Sequence, residues 1–153
     1  MYQKVLVPLD GSDLAECTLL HVESLIKRGF AGEVTLLNLV KVDIPWAEAY
    51  DKRQPIDLVG TRKLLFAASR KYLAKVASQL RSKGIKVKTK ALEVNRPAYA
   101  IMEYAQKKGM DLIVMATHGH TGFKKLIPGN VAFGVLHESN VPVLLIRPES
   151  CRK

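Results

Sequence analysis

Residues 115–130 read MATHGHTGFKKLIPGN, with two histidines, three glycines and two lysines directly behind an apolar run. Gly119 and Gly122 let the backbone close around a ligand with no Cβ in the way. Gly129 and Asn130 stand where a helix would begin. The first N–H groups of a helix lack internal partners and carry partial positive charge, which suits an anion. Lys124 and Lys125 add positive potential, so the set reads as a phosphate cradle. Its spacing is not that of the Walker A loop, because Gly122 is not followed by the required glycine–lysine pair. His118 and His120 form a His-x-His pair, but no cysteine or acidic cluster lies nearby to complete a metal site. No metal ligand is assigned.

A second stretch, PLDGS at 8–12, carries the other candidates. Pro8 cannot donate to a strand ladder and belongs at a strand end. Asp10 follows it, and Gly11 and Ser12 lead into a helix start. Asp10 could contact a ribose, position Mg²⁺ or act as a weak base; equally, it could accept hydrogen bonds from its own turn at 11–13. Asp10, Ser12 and His118 have the residue types of a hydrolytic triad, yet Ser12 lacks the Gly-x-Ser-x-Gly elbow. Ser12 is more simply the turn residue before a helix, and no catalytic residue is assigned.

Five strands and four helices position these groups. KVLVPLD (4–10), VTLLNLV (34–40), DLIVMAT (111–117) and PVLLIR (142–147) lack polar alternation, as strands covered on both faces do. IKVKTKALEV (85–94) alternates lysines with apolar residues and belongs at a sheet edge. The first helix has a capping-box-like Asp13 and Glu16, an apolar stripe of Ala15, Leu19, Val22 and Ile26, and a stop at Gly29. The second carries Leu65, Ala68, Tyr72, Val76 and Leu80 on one face and ends at Gly84. Pro97 opens the third, which buries Ile101 and Ala105 and stops near Gly109. Asn130 caps the fourth, with Val131 and Val135 facing inward. The order βαβαβαβαβ with right-handed crossovers gives a single doubly wound five-stranded parallel sheet, α/β in class, with helices on both faces. Residues 41–60 form a flap. In strand order 3-2-1-4-5, Asp10 and Gly119 face each other across the crevice between strands one and four, where such sheets bind ligands.

The 153 residues suit one domain, 1–148, with a basic tail at 149–153. Cys17 and Cys151 lack metal-ligand spacing, so neither a zinc site nor a disulfide framework is expected, and Cys17 reads as a packing residue. No apolar run approaches the roughly 20 residues of a bilayer span, and the N-terminus does not resemble a signal peptide. The expectation is a cytoplasmic protein with no membrane partner. The net charge of +10 attracts anions: nucleic acid, an anionic membrane surface or phosphorylated small molecules. The basic residues are scattered, without basic–aromatic interleaving, so nucleic acid is not the expected partner.

The succession KVLVPLDGS, VTLLNLV, NRPAYAIMEYA, DLIVMATHGHTGFKKLIPGNV and VPVLLIRP resembles the universal stress protein family, from Lys4 to Pro148. The resemblance implies a Rossmann-like fold and ATP, or ADP or AMP, held with Mg²⁺. Its nucleotide-binding branch carries Gly-x-x-Gly, nine residues, then Gly-Ser/Thr; here those positions are Ala116, Gly119, Gly129 and Asn130. Ala116 adds a methyl group, and Asn130 offers an amide in place of a hydroxyl. By resemblance, Pro8, Asp10 and the Leu39 backbone would hold the adenosine part. Ala116, His118, Gly119, Gly129, Asn130 and Val131 would line the phosphate track. The resemblance also implies a homodimer through the last strand, a nucleotide-dependent switch, and at most slow ATP hydrolysis. The alternative is a nucleotide-free member acting as a dimeric interaction or chaperone-like module.

Overall fold

The computed structural model describes residues 1–43, 57–117 and 129–147. Along the chain run β1 (Tyr2–Leu9), α1 (Asp13–Glu16), α2 (Thr18–Lys27), β2 (Ala31–Val40), α3 (Leu58–Arg81), β3 (Val87–Glu93), α4 (Pro97–Lys107), β4 (Leu112–Ala116), α5 (Gly129–Glu138) and β5 (Val143–Ile146). All described pairings are parallel, and the order is β3-β2-β1-β4-β5, as the sequence pattern indicates.

Alternate residues of each strand feed two cores, because successive side chains leave opposite faces. Val5, Val7, Leu9, Val34 and Leu36 meet α2 and α3 through Leu19, Val22, Leu73, Val76 and Leu80. Leu6, Leu37, Ile113 and Met115 meet α4 and α5 through Ile101, Ala105, Val131 and Val135. Each fully buried Leu or Ile contributes about 1.5–3 kcal/mol. The continuous apolar runs thus arise from two covered faces. The lysine strand β3 lies at one edge, with Lys88 and Lys90 exposed.

The structure departs from the local sequence pattern in four places. The first helix is two pieces meeting at Cys17, and its cap is Ser12, whose hydroxyl accepts from Ala15 N at 3.0 Å, not a box of Asp13 and Glu16. Thr18 Oγ1 donates to the Ala15 carbonyl at 2.6 Å, a side-chain bond that competes with the helical ladder at the break. Helix α3 begins at Leu58, inside the expected flap, and its buried face is Ser69, Leu73, Val76, Ala77 and Leu80; Leu65 and Ala68 are exposed. The rest of the flap, 44–56, lies outside the described residues. Helix α5 takes in Gly129 and Asn130, so Asn130 falls within its first turn rather than capping it. Finally, Cys17 is buried as expected, but it is disulfide-bonded.

Candidate functional site

The chemistry converges on the carboxyl ends of β1 and β4, and one backbone detail shapes that place. Ile113 N donates to Pro142 O and Thr117 N to Ile146 O, so Ile113 of β4 and Thr117 just past its end point their peptide groups at β5. The alternate residues, Leu112, Val114 and Ala116, therefore point theirs at β1. The β1–β4 register is Val5↔Leu112 and Leu6↔Ile113, and there it stops. On the other side of the same strand, β1 pairs with β2 as far as Leu9↔Asn38. The next β1–β4 rung would draw on the N–H of residue 8, which is proline and has none. At the opposite end the strands are tied: Asp111 accepts Gln3 N at 2.7 Å and Lys4 N at 3.0 Å on its carboxylate and gives its own N–H to Lys4 O. The two strands are joined at their amino ends and unpaired past Leu6. Ala116 directs its peptide groups to the unpaired side.

This junction is also where the winding of the sheet reverses, the usual ligand crevice of an open α/β sheet. Asp10 stands at its lip. Its Oδ1 accepts Ser12 N at 3.0 Å and Ser12 Oγ at 2.6 Å, which holds the turn and supports the structural role of Ser12. Gly11 has φ +86°, and the position its Cβ would take has nothing within 4 Å; a glycine both makes the turn and leaves the rim open. A crossover helix runs antiparallel to the strand before it, so α5 starts at the carboxyl edge of the sheet. Val131, third in α5, buries its side chain in the core and can offer a ligand only its N–H, one of the four that lack a helical acceptor.

Pro8 is buried, and Asp10, Leu39 and Ala116 are half-buried. Gly129 and Asn130 are the first two residues of α5. His118, Gly119 and Gly122 lie outside the described residues, as does His120.

The sequence reading missed a layer of polar residues beneath the lip. Asn38 Nδ2 donates to the Leu9 carbonyl at 2.8 Å, and Asn38 Oδ1 accepts the buried Ser69 hydroxyl at 2.6 Å. Together they fasten the last residue of β1 to β2 and α3. Tyr72 Oη donates to Glu16 Oε1 at 3.0 Å. Burial, then the Glu16 carboxylate, pushes the Tyr72 phenol far above its ordinary value of 10.0; Asp10 adds to the shift and the Gly11 N–H opposes it. The one available signal was a lone asparagine inside the apolar run VTLLNLV. A described cavity of about 240 Å³ lies elsewhere, between Tyr99 and Met102 of α4 and Glu138 and Asn140 beyond it. It is smaller than the roughly 300 Å³ at which ligand pockets usually begin.

The universal stress protein family model matches residues 1–147. The chain belongs to the universal stress protein family. Universal stress protein MJ0577 of Methanocaldococcus jannaschii is 31% identical over 163 aligned residues, 96% of each chain. Its solved structure superposes with a TM-score of 0.74 at 29% identity, covering 100% of this chain and 98% of that one. The same fold recurs at lower identity in a universal stress protein in complex with cAMP (TM-score 0.66, 18% identity, 96% and 98% covered). It recurs again in an Arabidopsis thaliana member with AMP bound (TM-score 0.65, 15% identity, 95% and 91% covered). Within this universal stress protein, the described fold is the Rossmann-like one of its solved relatives.

The Tyr72–Glu16 bond should register in stability. Below about pH 10 the phenol is neutral in both states. Above that, the unfolded chain ionises while folded Tyr72 resists, so its contribution is present below about pH 10 and is lost as pH rises toward the raised folded value. In urea unfolding at neutral pH, Tyr72→Phe should cost about 1–2 kcal/mol. The gap between parent and variant should narrow at alkaline pH. A gap independent of pH would contradict the assignment.

Proposed function

We propose that this universal stress protein binds an adenine nucleotide between β1 and β4 and acts as a nucleotide-dependent stress-response switch in the cytoplasm. The working unit is residues 1–148, with 149–153 as a basic tail. The observation that carries the reading is the early end of the β1–β4 ladder at Pro8, beside Asp10 and on the edge where α5 begins. The chemistry on hand suits such a ligand: an open glycine rim at Gly11, Ala116 peptide groups facing the gap, and helix-start N–H groups for phosphate. Pro8, Asp10 and the Leu39 backbone would take the adenosine part. Ala116, His118, Gly119, Gly122, Gly129, Asn130 and Val131 would follow the phosphates. The nucleotide is ATP with Mg²⁺, or ADP or AMP, and the relatives solved with AMP and cAMP support the adenine class. When bound, Mg²⁺ would offset phosphate charge. Asp10 Oδ1 is already held by Ser12, so the role assigned is binding, with hydrolysis at most slow.

Protein purified under mild conditions and then denatured should release an adenine nucleotide identifiable by mass spectrometry. Emptied protein should gain about 2.7 kcal/mol of stability with Mg-ATP at 100 times its Kd. Absence of both defeats the reading. If Asn130→Ser then creates binding that the parent lacks, the chain is a nucleotide-free interaction module.

Homodimerisation through the last strand, 142–147, is the second part of the proposal. Among the described residues, strand β5 pairs only with β4, and its Val143, Leu144 and Leu145 are neither charged nor fully covered. Helix α5, which packs on β5, exposes Phe133 (63%) and Leu136 (46%). An apolar free edge invites a second copy. The parent should sediment as a dimer and Leu144→Lys as a monomer; a monomeric parent, or an unchanged variant, would refute pairing at this edge.

A further inference from the structure

The longest helix has an outward face that neither the crevice nor the β5 edge uses. Over 24 residues α3 carries Arg62, Lys63, Arg70, Lys71, Lys75 and Arg81 and no aspartate or glutamate. Arg62 pairs with Glu93 at 2.8 Å, Arg81 donates to the Val87 carbonyl, and Arg70 lies over the Phe66 ring. Lys63, Lys71 and Lys75 are exposed and have no ion pair among the described residues. The same helix leaves Val59 76% and Leu64 73% exposed, with Leu58 and Leu65 exposed beside them.

These side chains are ordered, not scattered. Leu64, Ala68, Lys71 and Lys75 follow one another at steps of four, three and four residues, which lines them along one side of the helix. The buried side holds Leu73, Val76, Ala77 and Leu80. Lys71 and Lys75 are like charges four apart, an arrangement that weakens a helix slightly. A face serving solubility alone would intersperse glutamates.

We propose that α3 docks flat on an anionic lipid bilayer, with Leu64 as the apolar anchor and Lys63, Lys71 and Lys75 against the headgroups. Basic residues flanking exposed leucine on one helix are the chemistry of an interfacial contact. A nucleic-acid backbone would use the lysines but has no use for Leu64. A helix of this length presents a convex rod of about 36 Å, which suits a plane. This contact runs against the expectation of no membrane partner, which rested on the lack of a spanning segment. No described helix is long and apolar enough to cross a membrane.

Cosedimentation of the full chain at low salt, with phosphatidylcholine vesicles containing one third phosphatidylglycerol, tests the proposal. The parent should bind these vesicles and not pure phosphatidylcholine ones. Lys71→Glu with Lys75→Glu should lower partitioning at least about tenfold, and Leu64→Ser about threefold, with circular dichroism and thermal midpoint unchanged. Lys86→Glu with Lys90→Glu, on the β3 edge, is the control for general charge and should retain binding. The proposal is overturned by no binding to the anionic vesicles, by an equal loss in the β3 control, or by an unaffected Leu64→Ser whose parent is displaced by duplex DNA.

Discussion

One missing hydrogen governs the shape of this protein's candidate site. Residue 8 sits where β1 should offer its next N–H to β4, and proline cannot supply it. The ladder therefore ends after Leu6↔Ile113, three residues before β1 itself ends. A β-sheet interior ordinarily rejects proline for the same reason. Here the loss falls at the point where the winding reverses, so it coincides with the place where a ligand would enter.

The surrounding structure is arranged to contain that loss. Asp111 ties the amino ends of β1 and β4 with three hydrogen bonds, two on its carboxylate and one from its N–H. Asn38 and Ser69 hold the last residue of β1 from the other side, keeping it on β2 although β4 has let go. The Asp10–Ser12 turn then carries the chain directly into α1, with Ser12 serving at once as hydroxyl donor to Asp10 and as helix cap. Strand, turn and helix are thereby fixed with respect to one another at the rim. A nucleotide arriving there would meet a formed lip rather than one it must order.

The sheet was legible because its strands are apolar on both faces, and its edges because one strand alternates lysines while the other is bare of charge. Pro8 and Asp10 could be placed at a strand end by elementary backbone chemistry. Helix α3 departs from its apolar pattern for a specific reason: Leu65 and Ala68 are apolar yet exposed, while Ser69 is polar yet buried, and apolar periodicity assumes the opposite of both. Ser69 is buried because Asn38 receives its hydroxyl, a contact between residues 31 apart that no local pattern encodes. The break at Cys17 was hidden similarly, since it depends on where Thr18 turns its hydroxyl. The phosphate cradle at 115–130 is legible in its glycines, its helix start and its lysines, whereas the family pattern is matched at only two of its four marker positions, since Ala116 and Asn130 differ.

The central claim is that the unpaired ends of β1 and β4 receive the nucleotide. Titrating isotope-labelled, nucleotide-free protein with AMP, while following backbone amide resonances, tests it most directly. The largest shifts should fall at Gly11 on the rim, Leu39 at the end of β2 and Ala116, whose peptide groups face the gap. Shifts gathered instead around Tyr99, Met102 and Asn140, with Gly11 and Ala116 unmoved, would place the ligand in the other cavity and contradict the account.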